Sequence, residues 1–272
     1  VELFRFTYPS QALPASLYLP WAISNYNTQR NRHKCLQIAD ELRQSGRFDL
    51  FLEAIAGKAA AKTGNHELAN QILQVAEEKI NNQSSIINSQ SIAWFYCFVS
   101  PDAENALDWA NKAYSSEPNS ATAATILAYS LVMNGQTDWA KPLIDNYERN
   151  QIADLALAQI QLQEGQQSSA IETLKSAIAR DPGSLAAERA KEILAQHGGN
   201  YIPPIDPGII LNELRNSFGQ ALVPAFIRPQ NLISVQLNVR GSEFSYGSKF
   251  GGTVAITNNS PEPLVISDDG LF

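Results

Sequence analysis

The chain has 272 residues, 44% of them hydrophobic and 17% charged, which is enough for one large or two ordinary globular domains and too apolar for disorder along most of its length. A formal charge of -7, from 20 basic against 27 acidic residues, offers no net basic face for phosphates and argues against nucleic acid as a partner. Cys35 and Cys97 are too few for a disulfide scaffold and lack CxxC spacing, and no apolar run approaches the ~20 residues of a membrane helix. The chain begins at Val1, holds a single Met (Met133) and ends directly after strand-like sequence, so it reads as a piece of a longer protein.

Residues 1–28 combine Phe4, Phe6, Tyr8, Leu17, Tyr18 and Trp21 with Pro9, Pro14 and Pro20. Those prolines forbid one continuous helix, and the segment is expected to be an extended arm lying on the next domain. Residues 29–197 read as helices of about a dozen residues, broken at Ser45-Gly46, Thr63-Gly64, Asn81-Asn82, Asn134-Gly135, Glu164-Gly165 and Pro182-Gly183. The segment from Arg30 to Ser45 is expected to cap this body, with Leu36, Ala39 and Leu42 inward, and Ala186, Ala190 and Leu194 mark a closing helix. Its basic run Arg30, Arg32, His33, Lys34 reads as a solvated helix face.

Aligning small residues of successive helices gives Ala69, Ala106, Ala140 and Ala170, spaced by 37, 34 and 30 residues. The pattern Ala-x3-Leu/Ala/Ile follows each of them, with Pro118 and Pro182 beyond two copies. Gly64, Gly135 and Gly165 each stand five residues before the small residue, where a glycine ends the preceding helix in left-handed geometry. Thr137 and Ser100-Pro101 are expected to open second helices. Small residues Gly57, Ala128 and Ala158 in the first helices allow close backbone approach, and Trp94 in the same phase predicts wider packing in that copy.

These residues resemble the tetratricopeptide repeat. The resemblance implies an α-solenoid of helix-turn-helix repeats, and a non-enzymatic scaffold that binds a protein or peptide on the concave face of the first helices. Carried residue by residue, the groove positions are Lys58, Phe95, Tyr129 and Gln159, with Asn88 and Thr125 beside them. Replacing Tyr129 and Phe95 by Ala is then expected to weaken partner capture without unfolding. The aromatic arm of residues 1–28 is a competing occupant of that groove.

Residues 198–228 form a linker, beginning Gly198-Gly199-Asn200, that carries one docking helix from Ile209 to Phe218 with Ile210, Leu211, Leu214 and Phe218 on one stripe. In residues 229–272 the period becomes two: Ile233, Val235, Leu237 and Val239 alternate with polar residues, and Val254 and Ile256 follow in a second strand. Gly241 to Gly252 is a hairpin loop between them, and Asn258 to Pro263 turns the chain into Leu264-Val265-Ile266. The segment resembles the start of an immunoglobulin-like β-sandwich, too short to complete one. Its open edges and apolar face suit self-association.

His33, His66 and His197 have no metal-ligand spacing, and no nucleophile elbow, phosphate loop or dinucleotide fingerprint occurs. The expectation is therefore no enzyme, no catalytic residue, no metal and no cofactor. A second reading is a non-catalytic segment of a larger exported enzyme or surface protein whose catalytic or carbohydrate-binding domain lies beyond Phe272. The immunoglobulin-like character and low Lys content tilt the compartment towards an exported bacterial protein.

Overall fold

The computed structural model of the chain describes residues 1–8, 11, 13–83, 87–218, 233–239, 251–259, 266–267 and 270–271. It is mainly helical, with two small two-stranded antiparallel sheets among the described residues. The helices are α1 (Glu2–Thr7), α2 (Ala15–Asn27), α3 (His33–Gln44), α4 (Leu50–Lys62), α5 (His66–Gln83), α6 (Ser89–Phe98), α7 (Ala103–Ser116), α8 (Ala121–Met133), α9 (Thr137–Asp145), α10 (Gln151–Gln163), α11 (Gln167–Arg180), α12 (Leu185–Gln196) and α13 (Pro207–Phe218). The strands are β1 (Ile233–Val239), β2 (Gly252–Asn258), β3 (Ile266–Ser267) and β4 (Gly270–Leu271). Two compact units result: Leu13–Pro204, and Val1–Ala12 together with Ile205–Phe272.

Within Leu13–Pro204, each even-numbered helix from α2 to α10 packs on the helix that follows it and on the next even-numbered helix. The sequence explains this layering. In α8 ten consecutive residues, Ala123 to Val132, are buried, and α4 is buried on nearly every side, as befits helices with neighbours all round. By contrast α7 buries only Ala106, Ala110 and Ala113, one narrow stripe of an otherwise polar helix. The even-numbered helices, called the inner helices below, thus pack on one another in order; α5 packs on α4, and α7, α9 and α11 each pack on the even-numbered helices beside them in the chain.

Small residues sit at the contacts, as the spacing requires. Ala69, Ala106, Ala140 and Ala170 are all buried. At Gly57 a Cβ would stand 2.6 Å from Leu73 Cδ2, so any larger residue would have to push the Leu73 side chain aside where α4 meets α5. Gly64, Gly135 and Gly165 have φ of 85°, 72° and 76°, the left-handed turns read from the sequence. The side chains of Asp49, Asn88, Asp102, Ser120, Asn150 and Ser184 accept backbone N–H groups at helix starts, each contributing about 1 kcal/mol.

Several expectations change. Pro20 does not stop a helix: α2 runs through it, and residues 15–27 belong to the helical body rather than to an arm. Proline removes one backbone donor and crowds the preceding turn. Against that cost, α2 buries Tyr18, Ala22 and Tyr26 and packs on α3 and α4. Residues 2–7 are helical too. Asp102, not Ser100, caps α7, because its carboxylate reaches the Asn105 N–H at 3.0 Å. Thr137 is the first residue of α9 and makes no cap. Leu36 is half-buried, and Cys35 and Ile38 take the inward positions of α3 beside Ala39 and Leu42. The Trp94 ring lies 4.8 Å from that of Phe51 on α4.

In the other unit, α13 begins at Pro207, two residues before the expected start, and the Asp206 carboxylate accepts the Gly208 N–H at 2.7 Å. β1 and β2 pair with Val235 opposite Ile256 and Leu237 opposite Val254, which puts these four side chains on one face. All four residues are more than half exposed. Ile209, Ile210, Leu211 and Leu214 of α13 are exposed as well. The loop 240–250, the turn 260–263, Leu264, Val265 and the side chain of Phe218 lie outside the described residues.

Candidate site at the junction of the first and last inner helices

Five of the six expected groove residues lie on the inner helices: Lys58 on α4, Phe95 on α6, Thr125 and Tyr129 on α8, and Gln159 on α10. Phe95, Thr125 and Tyr129 are fully buried. Gln159 Nε2 donates to Tyr129 Oη at 3.3 Å, Phe98 stacks on the Tyr129 ring at 5.0 Å, and Asn150 Nδ2 donates to Thr125 Oγ1 at 2.9 Å. Asn88 stands apart, exposed, with its side chain accepting the Gln90 N–H to cap α6.

The closing helix α12 reaches some of these residues. This helix packs on α6, brings Arg189 to the Tyr129 hydroxyl, and sets Glu188 and Glu192 near Lys58. Burial pushes the Tyr129 phenol up to about 12. Burial also lowers the Lys58 ammonium, an effect that Glu192 and Glu188 oppose. The closing helix foreseen at Ala186, Ala190 and Leu194 thus brings charged side chains to two of the expected groove positions, Lys58 and Tyr129.

Where α12 begins, it meets α2 and α4. Tyr26 Oη donates to both carboxylate oxygens of Glu188, at 3.0 and 2.9 Å, and the Lys62 ammonium forms an ion pair with the same carboxylate. Lys62 Nζ and Arg32 Cζ lie 5.5 and 5.7 Å from the centroid of the Tyr26 ring, within cation–π range. Burial, reinforced by the Glu188 charge, holds the Tyr26 phenol far above its ordinary range. Gly183 lies against Asn27, whose amide nitrogen would be 2.7 Å from an added Cβ. One carboxylate and one glycine thereby join residues more than 150 positions apart.

Beside this junction lies a pocket of about 160 Å³. Leu19, Ile23 and Tyr26 of α2, Phe51 and Ile55 of α4, Trp94 of α6 and Leu185 of α12 form its apolar wall, and Asn27, Asp181 and Ser184 supply its polar atoms. Ile55 and Leu185 are buried, whereas Ile23 is 42% exposed, so the pocket has an apolar floor and an accessible mouth. Among the described residues, no group of three or more His, Cys, Asp and Glu side chains gathers in a way that could hold a metal ion.

The sequence reading did not single out Tyr26, Phe51, Asp181 or Glu188 for the site. The signal for Tyr26 was the spacing Tyr18, Ala22, Tyr26, a stripe at four-residue intervals that Pro20 concealed. Phe51 and Asp181 had no local signal, because what joins them is the return of α12 to α2. Comparison with protein-family models, curated proteins and solved structures found no match to this chain.

Proposed function

We propose that the chain is a non-enzymatic binding scaffold of tetratricopeptide type, its helices arranged as a short solenoid, which captures a partner protein through one apolar side chain of an extended segment. The single observation that carries this reading is the pocket between α2, α4, α6 and the start of α12. A wall of aromatic and aliphatic side chains with a few polar atoms at one edge is the usual make-up of a ligand site. The regular layering of helices, with buried alanines and left-handed glycines at matching positions, supports the repeat arrangement. Because Phe95, Thr125 and Tyr129 are buried, this reading takes the junction, and not the middle of the inner helices, as the binding surface.

An array of short synthetic peptides, followed by chemical-shift mapping of the best binder on the full chain, tests this. The expected outcome is a set of shifts centred on Ile23, Phe51, Trp94 and Leu185. Shifts centred on Trp139, which is 74% exposed on α9, would overturn it.

A further inference from the structure

The pocket also carries information about what enters it. Its volume, about 160 Å³, is close to that of a dry engineered cavity of about 150 Å³ lined by Leu, Ile and Phe, which takes one benzene molecule. One ring or one branched aliphatic side chain therefore fits, and two do not. The wall is mostly aliphatic and aromatic, and the Tyr26 hydroxyl in it is already given to Glu188, so an apolar tip suits it best.

The polar atoms are not neutral in their preference. Asp181 lines the pocket at an exposed position, just after α11. Its backbone carbonyl accepts Gln151 Nε2 and Ser184 Oγ, but among the described residues no donor or cation is paired with its carboxylate. Glu188, by contrast, is already satisfied by Tyr26 and Lys62. Asn27 adds a carboxamide beside it, and the whole chain carries a charge of -7. The mouth thus pairs an apolar cavity with one carboxylate that has no direct partner among the described residues, Arg149 and Arg180 lining the adjoining hollow.

Resting on the binding role proposed above, we propose that the pocket takes a segment of a basic partner peptide in which an aromatic or branched aliphatic side chain fills the cavity and an adjacent lysine or arginine meets the Asp181 carboxylate. The chain's own acidity favours encounter with such a segment at low salt. An acidic or neutral segment with the same apolar side chain would fill the cavity without the second contact.

Three probes of one shape separate the two parts of this inference: 2-phenylethylamine, 2-phenylethanol and 3-phenylpropionate, titrated into the full chain while the indole N–H resonance of Trp94 is followed. An exposed ion pair is worth only a small factor, so the amine should bind about two- to fivefold more tightly than the alcohol at low salt, and the carboxylate more weakly than either. Asp181→Asn should erase the order while leaving the alcohol unchanged; its fold is secure because only its backbone carbonyl is engaged. Equal binding of all three to the native chain would overturn the cationic preference and leave the apolar pocket standing as a site. No response of Trp94 to any of them would overturn both.

Discussion

Gly57 shows how much one absent methyl group decides. A Cβ there would fall 2.6 and 2.9 Å from Leu73 Cδ2 and Cγ, inside the contact of α4 with α5. Alanine would gain about 1 kcal/mol of helix propensity, yet overpacking a tight contact costs about 1–3 kcal/mol. Gly57→Ala is therefore expected to lower stability by roughly 1 kcal/mol in urea unfolding followed by circular dichroism. Gly183→Ala should cost less, because the atom it meets is the end of the exposed Asn27 side chain, which can turn away. Buried titrating groups set a second expectation at this scale. Burial pushes the Cys97 thiol up to about 12 from 9.0, and the Tyr129 phenol up to about 12 from 10.0. Folded values above unfolded ones mean that the unfolded chain releases protons first as pH rises. Stability should be unaffected by these groups below pH about 9 and fall progressively between about 9 and 12. A urea midpoint that is the same at pH 8 and pH 11 would contradict this assignment.

Between elements, buried charges and shared aromatic rings specify which helices meet. Glu53 on α4 has a side chain only 4% exposed and is held by Arg43 of α3, whose Nε and Nη2 reach its two oxygens at 2.8 and 2.6 Å. Removing one partner of such a pair strands the other, so Arg43→Ala should cost about 3 kcal/mol of unfolding free energy. At the other junction, Tyr26→Phe and Glu188→Ala should be strongly non-additive in a double-mutant cycle, with a coupling of about 1–2 kcal/mol, since each removes the same charge-assisted hydrogen bond. Additive costs would mean that α2 and α12 do not support each other. Helix existence was legible here because punctuation is local: Gly64, Gly135 and Gly165 end helices wherever they occur in this chain. The helical state of Tyr18 to Tyr26 was not legible, because Pro20 is a local signal and the packing of α2 on α3 and α4 that overrides it is not. In the same way, alternation revealed β1 and β2 and their shared apolar face, but nothing local says whether that face is covered.

At the scale of the molecule, the return of α12 to α2 determines what the rest can do. It buries Tyr129 beneath Arg189 and leaves an aromatic pocket at the seam. Phe95→Ala and Tyr129→Ala, which the sequence reading treated as tests of an open groove, should instead destabilise the fold by about 3–5 kcal/mol, as large core truncations do. The expected groove positions were recognisable as residues of the inner helices, yet the burial of Phe95 and Tyr129 follows from packing between helices that no local signal gives. The pocket itself joins residues from four helices and had no signature in any one of them. The direct test of its role is to fill it: Ile23, 42% exposed at the mouth, can be replaced by Trp without disturbing buried neighbours. With the best peptide from the array as a labelled probe, fluorescence anisotropy on the full chain should show binding lost by at least an order of magnitude in Ile23→Trp, with an unchanged melting temperature. Undiminished affinity in that variant would contradict the account.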